Sequence, residues 1–349
     1  MSDSNIPSRK KQHVELVVNE DVAFQRKRTG FDDFEYEHNA LPELDLADVD
    51  PTVEFLSKQL SFPLLVTGMT GGYPDAERIN GALAEVAEEL RVAIGSGSQR
   101  QALASTEHHS TFTILRKNAP SVPVIANIGG AEAAAMKDAS DAQRLVDMLE
   151  ADAFAVHTNP LQEFLQPEGT PQFRNLLSAL EMLSKHLPVP VILKEVGAGI
   201  SGSVAVRAFE AGVQWIDVAG AGGTSWAGVE ILRRSDGYTP SPSFWDWGIP
   251  TTECLMELRE LDYPECGSIA SGGMRDGVDI AKALGLGAHL GGAARPFIKA
   301  LEEGGQDGLR RLIENWRIDF CGVMFLTGNR SVADLRNEPL YYKPEHGTT

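Results

Sequence analysis

Val189-Pro190-Val191-Ile192-Leu193-Lys194-Glu195-Val196-Gly197 is a run of apolar, mostly β-branched residues that ends in a lysine, a glutamate and a glycine. The run is continuous rather than alternating, so it reads as a strand buried on both faces, the kind found in parallel sheets covered by crossover helices. Working outward, the same cadence returns at Pro63–Met69, Val92–Ser98, Val122–Gly129 and Ala153–Asn159 before it, and at Trp215–Gly220, Ser268–Met274 and Ala288–Ala293 after it. Helical patterns fill the intervals. Asp75–Leu90 opens on a candidate cap, Asp75, and places Ile79, Leu83, Val86 and Leu90 on one face; Thr170–Leu187, Ser201–Ala211 and Arg275–Leu284 read likewise. Eight strand-helix units over roughly 240 residues fit an α/β fold of the (β/α)8 barrel type, the TIM barrel, with a doubly wound open sheet as the competitor. Polar and glycine residues gather at the strand C-termini, where barrel enzymes place their chemistry.

Three ranges follow: an arm at 1–55, a barrel at 56–325 and a tail at 326–349. An insertion after the sixth strand, Trp226–Pro250, carries Phe244, Trp245 and Trp247 beside its leading tryptophan, and a flexible surface excursion would leave these rings exposed. The reading is therefore a lid or a subunit contact.

The 349 residues are 42% hydrophobic and 23% charged, which is globular composition with ample core. Thirty-one basic against 49 acidic residues give a net charge of −18, a field that repels nucleic acid and anionic lipid. A phosphorylated ligand would need a local island of Lys, Arg and backbone N–H groups. The three cysteines, Cys254, Cys266 and Cys321, form no metal or disulfide spacing, and no run of about 18 apolar residues is present, so a cytoplasmic protein is expected.

Candidate chemistry sits at the strand ends. Ser271-Gly272-Gly273-Met274-Arg275 after strand seven and Gly291-Gly292-Ala293-Ala294 after strand eight resemble the phosphate cup of barrel folds, because glycines admit an anion close to the backbone. Lys194 in an apolar strand is costly unless it is paired or functional, as a Schiff-base amine or facing an electron-rich cofactor atom. His157, Asn159, Gln162 and Glu163 crowd the end of strand four; one histidine and one carboxylate do not make a zinc site, whereas Mg2+ accepts one carboxylate with waters and phosphate oxygens. Ser98, Gln99 and Arg100 end strand two, and Asn127 ends strand three. Arg9, Lys10 and His13 form a basic cluster that is either a solvated tail or a segment docked on the barrel mouth.

At Thr67-Gly68-Met69-Thr70-Gly71-Gly72, Gly95–Arg100, His157–Glu163 and above all Asp217–Trp226 (DVAGAGGTSW), the chain resembles type 2 isopentenyl diphosphate isomerases, in order and spacing from about Arg9 to about residue 300. The resemblance implies an FMN-binding barrel. It places Thr67, Gly68, Met69 and Thr70 along the flavin, Ser98, Asn127 and Lys194 at its polar edge, and Thr224, Gly272, Gly273, Arg275, Ala293 and Ala294 at its phosphate. It assigns the substrate diphosphate to Arg9, Lys10, His13, Ser98, Gln99 and Arg100, and Mg2+ to Glu163. Gln162 would lie beside the carbon skeleton with Lys194 and His157 as further catalytic groups and Asn159 supporting that corner. Reduced FMN, NADPH as reductant, isopentenyl and dimethylallyl diphosphate as ligands, and a homotetramer or homo-octamer complete the implication. Thr158 departs from the bulky apolar residue often found there. Competing readings are an FMN-barrel oxidoreductase acting on hydroxy acids or nucleotides, weakened by the missing Cys and His in the late loops, a Schiff-base aldolase using Lys194, and a binding protein that kept the fold without the chemistry.

Overall fold

The structure is a computed structural model that describes residues 6–343, without the side chains of residues 6–9 and Lys11. Eight parallel strands close a barrel: β1 (Leu64–Val66), β2 (Ala93–Gly95), β3 (Val124–Gly129), β4 (Ala153–His157), β5 (Val191–Lys194), β6 (Trp215–Asp217), β7 (Gly267–Ser271) and β8 (Leu290–Ala293), each paired with the next and β8 with β1. Every one lies within, or one residue beyond, an apolar run read from the sequence, and the closed circuit replaces the open-sheet alternative.

The pleat sorts the side chains. Leu65, Ala93, Ile125, Ala155, Ile192, Ile269 and Leu290 fill the barrel axis, while Leu64, Val66, Val124, Val191 and Leu193 pack outward against the helices. A period of two then sends Thr67, Asn127, His157, Lys194, Asp217 and Ser271 to the axis two residues further on, so one alternation yields both the apolar core and the polar floor above it. Below, the hairpin Val53–Phe55 with Lys58–Leu60 plugs the barrel with Phe55 and Leu60. That hairpin straddles residue 55, so the arm and barrel ranges interlock. The strand Leu340–Tyr342 pairs with Phe34–Tyr36, joining tail to arm.

Five helices matter for the site: α1 (Ile6–Asn19), α2 (Ala76–Leu90), α3 (Pro160–Leu165), α4 (Trp226–Arg233) and α5 (Arg295–Thr327), the last broken at Gly305. Asp75 does not cap α2 with its side chain; it pairs with Arg78 instead. The helix expected from Thr170 starts at Leu176.

The arm crosses the barrel mouth. Phe24 donates its N–H to Gly223 O at 3.1 Å and Ser225 donates to Val22 O at 2.7 Å, while Arg295 donates to Val17 O and Glu20 O, satisfying carbonyls at the end of α1. The insertion divides: Trp245 lies against Gly228 and donates Nε1–H to Ala23 O at 2.8 Å, but Trp247 is 59% exposed, contrary to the expectation of burial. The loop keeps one ring as an anchor and presents another to solvent beside Phe244 and Phe164.

Candidate active site

At the strand C-termini the barrel opens into a cavity of about 620 Å3, of a size that holds a cofactor or drug-sized ligand. Residues from all eight strand ends reach it, and Lys10 and His13 of α1 close its wall.

The floor is charged and tightly bonded. Lys194 Nζ lies 2.8 Å from Asp217 Oδ2, and Ser271 Oγ donates to the other oxygen of Asp217 at 2.5 Å. Asn127 donates Nδ2–H to Ser96 O at 3.1 Å, which turns its Oδ1 toward His157 Nδ1, 2.8 Å away. His157 therefore carries its proton on Nδ1 and keeps Nε2 as an acceptor. Burial, reinforced by the positive charge of Lys194 and Lys10, pushes the imidazole down to about 4, so it is neutral at pH 7. On the opposite face of β5, buried Glu195 accepts N–H bonds from Val196, Gly197 and Ala198 and fixes the loop that borders the cavity. Burial pushes its carboxyl up to about 7 against those three donors.

A second group forms the side wall. Glu230 on α4 has a side chain with no exposure; its Oε1 lies 2.9 Å from His13 Nε2 and accepts Gln162 Nε2–H at 3.1 Å, and its Oε2 accepts Arg233 Nη1–H at 2.5 Å. Burial opposes ionisation there, and His13, Arg233 and Gln162 outweigh it, holding the carboxyl below its ordinary range. Arg233 also reaches Glu168 at 2.6 Å. Nearby, Glu163 accepts from Asn159 Nδ2 at 3.1 Å and from the Thr170 N–H at 2.6 Å, and Asn159 donates to Gln162 Oε1 at 3.0 Å. Asn159 thus orients both neighbours. Glu230 was not visible as a site residue in the sequence, since its partner His13 is 217 residues away; the available signal was a glutamate inside the apolar stretch Val229-Glu230-Ile231.

Comparison with known proteins places this geometry in a family. The family model for FMN-dependent dehydrogenases matches residues 126–342. An isopentenyl-diphosphate delta-isomerase of Chlorobaculum parvum is 46% identical over 96% of this chain and 97% of its own, and those of Pelodictyon phaeoclathratiforme and Nostoc sp. are 42% and 44% identical over 98% and 95% of this chain, covering 99% and 94% of theirs. The chain belongs to the FMN-dependent, type 2 isopentenyl-diphosphate delta-isomerases. Among solved structures, mandelate oxidase variants with benzoyl-formic acid and with (S)-mandelic acid superpose with TM-scores of 0.65 and 0.66 at 21% and 20% identity, each covering 95% of this chain and 94% of the other. At that identity they share the fold alone.

The residues suit the group that gives the FMN-dependent family its name. Loops after β7 and β8 meet the N-terminus of α5, which combines backbone amides with the positive end of a helix dipole. Gly272 has φ +98°, and a Cβ there would sit 2.2 Å from Gly220 O; Gly273 has φ +79°, and a Cβ there would sit 2.4 Å from Thr29 Cγ2. Only glycine lets these amides close on a phosphate.

Of the isomerase residues expected from sequence, the cavity gathers Thr67, Gly68, Met69, Ser98, Asn127, Lys194, Thr224, Gly272, Gly273, Ala293 and Ala294 with Lys10, His13, Arg100, His157, Asn159, Gln162 and Glu163. Arg9 lies outside the described side chains. Two expectations need correction. Gln99 has no exposure and donates to Leu145 O at 3.2 Å while accepting from the Asn127 N–H at 2.9 Å; it braces β2 against β3 and does not reach the cavity. Thr70 is buried behind the β1 loop, packed on Gly97, and does not line the cavity. Arg275 lines the cavity beside Gly272 and Gly273, as expected, with its guanidinium also paired to Asp279 at 2.8 Å and Asp32 at 2.7 Å, which braces the loop. Arg100 likewise carries a pair to Glu132 at 2.8 Å, although it remains on the cavity wall.

Proposed function

We propose that this chain interconverts isopentenyl and dimethylallyl diphosphate, with FMN lying in the barrel mouth. The observation that carries the reading is the Gln162–Glu230–His13 group: Gln162 and His13 line the same cavity as the glycine phosphate cradle, and behind them a buried carboxylate, held ionised, fixes both. The reaction adds a proton at the terminal alkene carbon of isopentenyl diphosphate and removes one from the carbon next to the diphosphate-bearing one. When bound and reduced, with NADPH as the external reductant, FMN supplies an electron-rich ring beside the substrate carbons.

Gly68, Met69 and Ser98 would hold the ring, Asn127 and Lys194 its polar edge, and Thr224, Gly272, Gly273, Ala293 and Ala294 its phosphate, all of them lining the one cavity. Lys10 and Arg100, with His13 beside them, would form the basic island for the substrate diphosphate. Lys10 Nζ already spans Gly71 O and Ser98 O at 2.5 and 2.8 Å, tying α1 to the β1 and β2 loops. Among the described residues no three His, Cys, Asp or Glu converge as a cation site, so Mg2+ would rely on Glu163 and on the diphosphate oxygens themselves. Glu230, behind the wall, fixes Gln162 and His13 where they face the cavity, so that Gln162 would lie beside the substrate carbons, while neutral His157 offers an acceptor at the floor. Trp226, edge-on to His13 at 5.2 Å, and the strap Val22–Phe24 exclude water, which strengthens each of these interactions. Among the described residues no helix is long and apolar enough to cross a membrane; a cytoplasmic homo-oligomer is part of the proposal.

The test is conversion of isopentenyl diphosphate by the purified protein, with Mg2+, in the FMN-loaded state before and after anaerobic reduction. Conversion in the reduced state alone is expected. A flavin spectrum with no conversion in either state overturns the proposed activity.

A further inference from the structure

We propose that Asp217 is a positioning residue for this site: it pins the Lys194 ammonium at the cavity floor and sets how much positive charge Lys194 presents to the flavin. The inference rests on the FMN placement proposed above.

The geometry is specific. Lys194 and Asp217 are register partners at the ends of adjacent strands, so their side chains leave the barrel wall side by side toward the axis. Asp217 is 1% exposed, and neither of its oxygens is idle: Oδ2 holds Lys194 at 2.8 Å and Oδ1 accepts the Ser271 hydroxyl at 2.5 Å. Ser271 Oγ is also the next polar atom to Lys194 Nζ, at 3.5 Å. Three consecutive strands, β5, β6 and β7, thus each give one side chain to a single cluster that fixes a long, flexible lysine in one place.

Fold stability does not require such a cluster. The layer directly below, with Ile192 and Ile269, closes the axis with hydrocarbon, and replacing a buried ion pair by apolar groups is often neutral or stabilising. What the pair supplies is placement and charge balance at a cavity-lining amine. A lone Lys194 would bring a full positive charge to the polar edge of the ring; paired, it brings a dipole, and a carboxylate two bonds from the same spot disfavours gain of negative charge by the ring. Neutralising Asp217 while keeping its shape should therefore favour the reduced, more electron-rich cofactor.

The experiment measures the two-electron midpoint potential of bound FMN in the wild type, Asp217→Asn, Asp217→Glu, Lys194→Met and the double variant Lys194→Met/Asp217→Asn, alongside kcat and KM. Asp217→Asn is expected to favour binding of reduced over oxidised FMN by about tenfold or more, a potential about 30 mV or more higher at 29.6 mV per tenfold for two electrons. It should lower kcat at little change in KM. Asp217→Glu, which keeps the charge, is expected to return the potential to near the wild-type value. In the Lys194→Met background Asp217→Asn is expected to give a smaller shift, since only the carboxylate's own charge then acts on the ring and the placement of the ammonium no longer contributes. That comparison also serves if the single Asp217→Asn variant does not fold. An unshifted potential in Asp217→Asn, or an equal shift with and without Lys194, overturns the positioning role while leaving the FMN placement intact. A wild-type protein that binds no FMN overturns the placement and this role with it.

Discussion

The two ends of one barrel are built from the same strands yet have opposite chemistry. At the end where strands begin, Phe55 and Leu60 of the hairpin sit on Leu65, Ile125, Ile192 and Ile269, and a charged cluster there is a clasp: Lys58 and Arg116 hold Asp152 at 2.7 and 2.6 Å, bracing hairpin and helix against β4. At the other end, two residues further along the same pleat, Asn127, His157, Lys194 and Ser271 face a cavity, with Asp217 buried beneath Lys194 and Ser271. The lower end can be tight because nothing needs to enter. The upper end keeps its polar groups in place by bonding them to one another, which leaves room for a ligand without leaving side chains loose. The division shows why damage at the two ends should be read by different instruments, stability below and turnover above.

The strongest blow to the upper end is expected from Glu230→Gln. It keeps the volume and removes the charge that fixes His13, Gln162 and Arg233, and turnover should fall by about 10²-fold, as for misplacement of cavity-lining groups. FMN titration monitored by flavin fluorescence should still show binding, and lost binding would mean that Glu230 serves the architecture rather than the chemistry. The matching injury below is Phe55→Ala. Phe55 is 1% exposed and stacks edge-on to Trp215 at 4.9 Å, so denaturant unfolding should show a loss of about 3–5 kcal/mol. Turnover per folded molecule should be unchanged; a parallel collapse of kcat would erase the distinction between the ends.

A smaller and subtler comparison uses one histidine from each end. Burial pushes both His157 and His289 down to about 4, with Lys194 adding to the effect above and Arg336 below. In the unfolded chain each returns to about 6.5, so between pH 6.5 and 4 the unfolded state binds more protons. Their stabilising contribution is complete above about pH 6.5 and is lost as pH falls toward 4, at up to roughly 1.4 kcal/mol per pH unit for each histidine. Glu195, raised to about 7, works in the opposite direction between its unfolded value and 7. Melting temperatures of wild type and His289→Gln between pH 7 and 4.5 separate the terms: the variant should show the shallower fall, and an identical slope would place a charged imidazole at the barrel base.

Much of this architecture is legible in the chain because it is local. Continuous apolar runs mark the strands, and the polar residue that ends each run marks the cavity: Lys194 after Val191-Ile192-Leu193 and His157 after Ala153-Phe154-Ala155-Val156 are examples. Residues whose meaning depends on distant partners escape that reading. Glu230 looks like one more charge on a surface helix until His13 arrives from the far end of the chain, and Asp217 looks like part of a glycine-rich motif until Lys194 is set beside it. Gln99 errs in the other direction. Its neighbours Ser98 and Arg100 are cavity residues, but the β3 backbone and Leu145 absorb its amide. Spacing reports where a side chain starts, whereas its bonds decide where it ends.

The arm's contacts also impose an order of events on a newborn chain. α1 is made before the barrel, yet Glu230 and Arg295, which hold it, are made more than 190 residues after it. Closing such long loops is slow compared with joining neighbouring strands and helices. The barrel therefore assembles around an open mouth, and the segment synthesised first becomes the last piece of the site to settle.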